Sequence, residues 1–424
     1  MEAEFSFSRR SFFAGGAATA LLVSKSAFAA AGQSPADAID VRRFGATGDG
    51  THDDSAAFAA ALRTVSTLYV PAGAYLVDRV MIPAGRKIVT DGTSTIFRQR
   101  AGTAEGMRLL NVVGSNVRIG DCTVEGNIRR DAGEQRHGIL IQASEKTGDL
   151  ANIVIGNVRG RNLRGDVVYV GCRDGRVASD VRIHDVHGDN VLRNVVSVVG
   201  GRRIGIGRIT GSYVGLTHFD IEPEDFSGPL IGCEVDAVYG GFVQIAGTTA
   251  RSFVDQVRIG LLNLVGPVSR SIPLYERGSV RKDALTIRNI RSLEIGRLVA
   301  RGFDGGAIRQ VWDPGALTDQ NVHIASAELS DCARAPKARA YIMGSPRATN
   351  LSIDSLAVDI TRPGVDVVRD CKEAHIRVVR GRLPKEDRVI ARSDAIPEEL
   401  LYLLGGGALG YGIGRFAQRT SRFG

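Results

Sequence analysis

The chain has 424 residues, of which 43% are hydrophobic and 24% are charged, and this composition excludes an intrinsically disordered protein. Its 52 glycines and its low aromatic share of 6% favour thin repeated layers with frequent turns over a helical bundle. The formal net charge of +8 suits an anionic partner. The basic residues are spread along the chain without aromatic platforms between them, so we expect no nucleic-acid partner.

The first segment of the chain, residues 1–29, has the pattern of an export signal. Two adjacent arginines at residues 9–10 precede an apolar run at residues 12–23, and a small-x-small cleavage site follows at residues 27–29. Paired arginines before a mild apolar run favour the twin-arginine route, which predicts a periplasmic or secreted protein. The run is too short to span a bilayer, so we expect no stable membrane span in the mature chain. Cleavage would remove three basic and two acidic residues and lower the net charge by one, to +7.

One helix is predicted, at residues 56–62, where an alanine-rich run follows the helix-capping sequence Asp53-Asp54-Ser55. It lies between two strand-like segments at residues 39–44 and 68–76. An open end of a stacked β-structure exposes unpaired backbone groups, so we expect this helix to cover one.

A short alternating apolar segment recurs along the rest of the chain. The first apolar residues of ten copies are at positions 117, 153, 181, 204, 231, 257, 293, 322, 351 and 374, where the copy at 231 is the weakest. The intervals of about 23 to 36 residues are typical of a stacked array, and the period of two indicates strands. Leucine-rich repeats lack support because their leucine spacing is absent, and a propeller would need four strands a blade.

Three motifs identify a family. Residues 44–50 (FGATGDG), 53–57 (DDSAA) and 70–75 (VPAGAY) closely resemble the N-terminal module of the pectate-lyase-like superfamily. The resemblance implies an all-β, right-handed parallel β-helix of about ten coils with an N-terminal capping helix. It implies a β-helix domain at residues 38–395, with the capping module at residues 38–80. Fold alone does not give the reaction, because the module occurs in hydrolases, lyases, epimerases and phage tail proteins.

The densest acidic segment is residues 218–225 (HFDIEPED). If Phe219 and Ile221 point inward, then His218, Asp220 and Glu222 point outward, and the Cα atoms of the two acidic residues lie about 6.6 Å apart. Paired carboxylates at such a separation suit an inverting glycosidase, and their crowding should raise one pKa, so we predict Asp220 and Glu222 as general acid and base. The alternative is an outward row of solvated charges.

The preceding coils resemble a run found in many β-helix proteins of this superfamily. Residues 166–171 (DVVYVG), 193–198 (RNVVSV) and 219–223 (FDIEP) correspond to D-G-I-Y-like, R-Q-x-I-S-like and G-I-D-I-E-P-like coils. The sequence departs from the pattern at Val167, at Asn194 and at His218-Phe219, which puts the cleft shape in doubt.

The remaining site residues follow from this correspondence and from the stacking of coils about 4.8 Å apart. Asp166, Tyr169, Arg193 and Ser197 are expected one or two layers from the acidic pair. Arg193 is expected to hold a substrate carboxylate or hydroxyl groups, and Tyr169 and His218 to line a sugar subsite.

Three functions remain open at this point. The first is a glycoside hydrolase acting through Asp220 and Glu222, without a cofactor. The second is a polysaccharide lyase on a uronate-containing polymer, in which Arg193 neutralises the substrate carboxylate and the acidic pair binds Ca²⁺. The third is a non-catalytic protein that binds or assembles an exopolysaccharide. The partner in each case is a polysaccharide, acidic or neutral, and the chain is a monomer or a trimer.

Three further features do not decide the function. Cys122, Cys172, Cys233, Cys332 and Cys371 are odd in number and far apart, which favours single buried thiols over a disulfide framework or a metal site. Residues 312–315 (WDPG) are typical of a loop with an exposed Trp, a side chain whose flat ring is able to stack on a sugar. The glycine-rich residues 396–424 are expected to form a C-terminal cap or tail.

Overall fold

The computed structural model describes residues 37–102, 108–129, 133–266, 283–311, 320–345, 350–360, 362–371, 374–377 and 379–382. The predicted export signal at 1–29, the tryptophan loop at 312–315 and the C-terminal segment at 396–424 lie outside these residues. The limits predicted for the β-helix domain and its capping module therefore stay predictions.

The described residues form one α-helix, α1 (Ser55–Thr64), two 3-10 turns at Val41–Phe44 and Gly92–Ser94, and a succession of short strands. The strands, in chain order, are β1 (Ile39–Asp40), β2 (Asp49–Asp53), β3 (Thr67–Val70), β4 (Gly73–Val77), β5 (Val80–Ile82), β6 (Lys87–Thr90), β7 (Thr95–Gln99), β8 (Leu110–Val112), β9 (Val117–Ile119), β10 (Cys122–Glu125), β11 (Ile139–Ala143), β12 (Leu150–Ile155), β13 (Val158–Leu163), β14 (Val168–Cys172), β15 (Ala178–Ile183), β16 (Val186–Val191), β17 (Val196–Val199), β18 (Gly201–Val214), β19 (Phe219–Ile221), β20 (Leu230–Gly240), β21 (Val243–Ala246), β22 (Val254–Val265), β23 (Leu285–Arg288), β24 (Ser292–Arg301), β25 (Ile308–Val311), β26 (Asn321–Ser330), β27 (Ala340–Met343), β28 (Leu351–Asp359), β29 (Asp366–Arg369), β30 (Ala374–Ile376) and β31 (Val379–Arg382).

These strands stack into a right-handed parallel β-helix, as the sequence predicts. One sheet, here called the short sheet, contains eleven strands of the described residues in chain order: β5, β8, β11, β14, β17, β19, β21, β23, β25, β27 and β29. The other strands form the long sheet, which covers two faces of the β-helix. Strand β18 pairs with both β15 and β16, so that one long strand continues both faces.

The sequence repeat coincides with the ladder of the long sheet. Val117, Ile153, Val181 and Ile204 are direct partners on successive coils, and all four are buried. The weak copy at Ile231 is the exception, because Cys233 rather than Ile231 pairs with Ile204. The prediction placed that copy two residues too early, since the glycine at 232 interrupts the alternation on which the alignment rested.

Stacked asparagines accompany the ladder at turns with a left-handed backbone. Asn116 and Asn152 have φ angles of 59° and 56°, and Asn152 Nδ2 donates to Asn116 Oδ1 at 2.8 Å. The same bond joins Asn190 to Asn162 at 2.7 Å. Asparagine tolerates this backbone region better than most residues, so each rung fixes a turn and supports the next.

Helix α1 packs on the core of the first coils and confirms the predicted helix. Phe58 is fully buried, and its ring lies edge-on to Tyr75 with centroids 5.5 Å apart and against Phe97 at 5.6 Å. Asp53 accepts hydrogen bonds from Ser55 at the start of the helix, while buried Asp54 accepts from the backbone N–H of Thr47 at 2.7 Å. The aspartates therefore tie the helix to the preceding glycine-rich turn.

A continuous apolar core fills the β-helix, and all five cysteines are buried and unpaired in it. Burial raises the pKa of Cys122 and of Cys233 to about 12. The described residues include no helix with the length and apolar character of a bilayer span.

Candidate functional site

The predicted site residues meet on the outer face of the short sheet. Phe219 and Ile221 are fully buried, so Asp220 between them points away from the core, as expected. Tyr169, Ser197 and Asp220 are direct partners on β14, β17 and β19, so neighbouring members lie about 4.8 Å apart. The stacking argument therefore placed Tyr169 and Ser197 in the correct layers.

Asp220 is nevertheless a buried carboxylate, with only 4% of the residue exposed. Its Oδ2 accepts a hydrogen bond from Nδ2 of Asn194 at 3.3 Å, and the same amide nitrogen donates to Ser197 Oγ at 3.0 Å. Asn194 Oδ1 accepts from the backbone N–H and the hydroxyl of Thr217 at 3.0 and 2.7 Å. Asn194, which the sequence analysis noted only as a departure from the family pattern, therefore positions Asp220 and Ser197. Ser197 is 1% exposed and is not a surface contact for a sugar.

Arg193 lies beside a second buried carboxylate, that of Asp166. Arg193 Nε donates to Asp166 Oδ1 at 3.3 Å, and the backbone N–H of Asn194 donates to the same oxygen at 3.0 Å. Burial opposes the charge of Arg193, but Asp166 and Asp220 more than offset it and raise its pKa. Burial also opposes ionisation of Asp166, but His137, Arg193 and the Asn194 N–H together lower its pKa. Asp166 is fully buried, so it supports Arg193 and does not itself contact a ligand.

His137, on the preceding coil, is the third member of this buried cluster. Its Nδ1 accepts the backbone N–H of Asp166 at 3.0 Å, and its Nε2 lies 3.1 Å from Gln135 Oε1. Burial lowers the pKa of His137, although the carboxylate of Asp166, whose Oδ2 lies 3.3 Å from Nδ1, favours the charged ring. The ring lies 4.8 Å from that of Tyr169, centroid to centroid. Tyr169 remains partly exposed, and burial raises its pKa.

The prediction that His218 lines a sugar subsite does not fit the structure. His218 is 8% exposed, its Nδ1 accepts the backbone N–H of Gly241 at 3.0 Å, and its Nε2 lies 3.3 Å from the carbonyl of Gly211. Both ring nitrogens are thus bound to backbone groups of neighbouring coils. The sequence placed His218 on the outward row, but the absence of a side chain at Gly240 lets the ring fold down onto the chain.

We expect His218 to make the protein less stable in acid. Burial lowers its pKa from 6.5 to about 4 in the folded state. The unfolded chain therefore binds the proton first, and stability is lost as the pH falls from 6.5 to about 4, by about 3 kcal/mol. Urea unfolding at a series of pH values should show a flatter dependence for His218→Asn than for the wild type. His52→Asn, a change at an exposed histidine, should leave the slope unaltered, and an unchanged slope in His218→Asn would contradict the assignment.

The accessible carboxylates of the acidic segment are Glu222, Glu224 and Asp225, of which Asp225 is engaged in hydrogen bonds to the next coil. Glu222 follows β19, and Arg288 Nη2 lies 3.8 Å from its Oε1, with 34% of the Glu222 side chain exposed. Partial burial raises the pKa of Glu224, and the charges of Glu222 and Asp225 add to that effect while Arg288 opposes it. Burial is thus the larger cause and crowding of carboxylates a smaller one, and the residue affected, Glu224, is not a member of the predicted pair.

The turn that carries Glu224 is held by its neighbours. The Ser227 hydroxyl lies 2.8 Å from both the N–H and the carbonyl of Glu224. Asp225 accepts hydrogen bonds from the hydroxyl groups of Thr249 and Ser252 on the next coil. Glu222 and Glu224 therefore stand on a fixed backbone rather than on a free loop.

Fold and site together define the class of protein: a right-handed parallel β-helix with an N-terminal capping helix and a row of polar groups on its short sheet. Residues 38–111 are similar to the family model described as "Rhamnogalacturonase A/epimerase, pectate lyase-like", which agrees with the resemblance found in the N-terminal motifs. Comparison with curated protein sequences gave no match.

Solved structures share the fold at low sequence identity. The pre-mature gene product 12 of bacteriophage phi29 is 16% identical with a TM-score of 0.51, over 81% of this chain and 52% of that one, so this chain spans about half of that protein's length. The Agl-KA catalytic domain is 14% identical with a TM-score of 0.50, over 82% and 70%. The tailspike gp49 of the Acinetobacter baumannii bacteriophage Fri1, described as a capsular polysaccharide depolymerase, is 11% identical with a TM-score of 0.50, over 83% and 64%.

Proposed function

We propose that the protein is a polysaccharide-degrading enzyme that acts outside the cytoplasm and hydrolyses glycosidic bonds. The observation that carries this proposal is the accessible pair Glu222 and Glu224, one of which has a raised pKa. The family model at residues 38–111 and the depolymerase among the similar structures support a polysaccharide as the substrate. The location rests on the export signal predicted at residues 1–29.

The two glutamates act as general acid and general base in an inverting hydrolysis. Glu224, whose raised pKa favours its protonated form, donates a proton to the leaving glycosidic oxygen. Glu222, which faces Arg288, acts as the base that takes a proton from the attacking water. Arg288 Nη2, 3.8 Å from Glu222 Oε1, helps to hold the carboxylate of that base in place.

Asp220 has a different role here from the predicted one of general acid or base. As a buried carboxylate bound to Asn194, it is less suited than Glu224 to reach a glycosidic bond. We assign it, with Asp166, to holding the charged Arg193 at the edge of the cleft. Arg193 and Tyr169 then contact the sugar units beside the bond that is cleaved.

A lyase is the second candidate, because the arrangement around Arg193 favours it. The Arg193 side chain retains 19% exposure, and the partly exposed Tyr169 lies on the next layer towards the N-terminus. In a lyase Arg193 would neutralise the carboxylate of a uronate, with or without Ca²⁺, and a neighbouring base would remove the C5 proton.

One experiment separates these functions. The purified chain is incubated with a panel of acidic and neutral bacterial polysaccharides, and the products are read by mass spectrometry and ultraviolet absorbance. Hydrolysis adds one water per cleaved bond, whereas elimination gives an unsaturated uronide that absorbs in the ultraviolet. Products with added water and no new absorbance support the proposal. Elimination products, or binding without any shortening of the chains, would overturn it.

A further inference from the structure

An exposed aromatic ring and a cation meet at the edge of the short sheet. Phe226, at the tip of the turn after Glu224, is 46% exposed. The guanidinium carbon of Arg173, which follows β14, lies 4.8 Å from the centroid of that ring. This distance is typical of a cation–π contact.

The turn that presents Phe226 is rigid on both sides. Asp225 and Ser227, its two neighbours in the chain, are bonded to the next coil and to Glu224. On the preceding coil Gly200 has a φ angle of 86°, and a Cβ there would lie 2.9 Å from the carbonyl oxygen of Ser227. A glycine at this position thus lets the turn lie directly on the coil beneath it, so Phe226 is presented without a further ordering cost.

Arg173 differs from the other arginines of the cleft in its charge balance. Arg193 faces Asp166, and Arg288 faces Glu222. Arg173 is exposed and, among the described residues, lies within ion-pair distance of no carboxylate. A cation–π contact does not use up the five N–H donors of a guanidinium group, so Arg173 keeps donors for an anion.

We propose that Arg173 and Phe226 form a subsite for a sugar unit that carries an anionic group. The apolar face of the sugar ring packs on Phe226, and the carboxylate or sulfate of the same unit accepts hydrogen bonds from Arg173. Phe226 lies two residues along the chain from Glu224 on the same turn, so the subsite adjoins the proposed glutamate pair. This inference rests on the proposed function for its place in a polymer, although the binding of a single sugar does not.

Saturation-transfer NMR with matched monosaccharides tests the subsite. The probes are glucuronate against glucose, galacturonate against galactose, and galactose 6-sulfate against galactose. We expect at least one anionic sugar to bind about tenfold more tightly than its neutral partner. That preference should be lost in Arg173→Gln, and binding should weaken in Phe226→Leu, which keeps the apolar character but removes the aromatic face. Arg182→Gln removes one charge from an exposed arginine of the long sheet and should leave binding unchanged.

The outcomes separate this inference from the proposed function. Equal binding of anionic and neutral sugars, or an anionic preference that survives Arg173→Gln, would overturn the subsite even if the protein hydrolyses a polymer. Anionic preference that depends on Arg173 and Phe226 in a protein that shortens no polymer would uphold the subsite and overturn the hydrolase. A preference for the sulfated sugar alone would identify the anionic group as a sulfate, and one for the uronates would identify it as a carboxylate.

Discussion

Glu222→Gln and Glu224→Gln are each expected to lower kcat on the polymer substrate by about 10²- to 10⁴-fold, the usual contribution of a general acid or base. Each change keeps the shape of the side chain and removes only its ability to exchange a proton. KM should change little, because the amide can still form hydrogen bonds to hydroxyl groups. Initial rates of reducing-end formation measure both constants.

The matched control is Glu234→Gln, which removes the same charge from an exposed strand of the long sheet and should retain full activity. Asp220→Asn should cost less kcat than either glutamate variant and should act mainly on KM, through Arg193. If Asp220→Asn abolishes kcat while Glu224→Gln is active, the roles assigned here are wrong and the originally predicted pair, Asp220 and Glu222, is restored.

The pH profile gives an independent check on Glu224. An acid must be protonated to act, so activity should fall as the pH rises through the raised pKa of Glu224. That decline at high pH should be absent from the residual activity of Glu224→Gln. The same decline in both proteins would assign the acid to another group.

Gly240→Ala is expected to destabilise the protein by about 3 kcal/mol or more, the upper range for overpacking a core. A Cβ at this position would lie 2.0 Å from Cδ2 and 2.2 Å from Nε2 of His218. The ring cannot move aside without losing its bonds to the backbone of Gly211 and Gly241. Urea unfolding followed by circular dichroism measures the loss.

Gly205→Ala is the control for this substitution. Gly205 also lies in a strand of the long sheet, but no atom is within 4 Å of the added methyl group, so stability should be nearly unchanged. In the double variant Gly240→Ala with His218→Ala the overlap disappears, and the two single effects should sum to more than the double effect. Strict additivity would show that His218 is not what excludes a side chain at 240.

The fold could be predicted from the sequence because a β-helix repeats one local pattern. Each coil alternates inward and outward residues, so the positions of Val117, Ile153 and Val181 fixed the register before any contact was known. The copy at Ile231 was misplaced because a single glycine broke the alternation on which the comparison depends.

The site was predictable only in part, because burial and hydrogen bonding depend on neighbouring coils. The layer positions of Tyr169, Ser197 and Asp220 followed from stacking. The sequence could not show that Asn194 covers Asp220, since that contact joins residues 26 positions apart. It also did not single out Glu224, whose pKa depends on burial and on the charges around it. The contact of Phe226 with Arg173 crosses 53 positions and left no local signal.

The stacked asparagines have a consequence for how this protein can change over time. Bonds between equivalent rungs join residues 36 positions apart at Asn116 and Asn152 but 28 apart at Asn162 and Asn190. The ladder therefore keeps its register whatever the length of the connecting segments. Insertions and deletions in those segments are tolerated because they change the loops between strands and leave the strand pairing intact. Loops that differ in length or sequence can therefore arise between strands while the pairing of the coils stays the same.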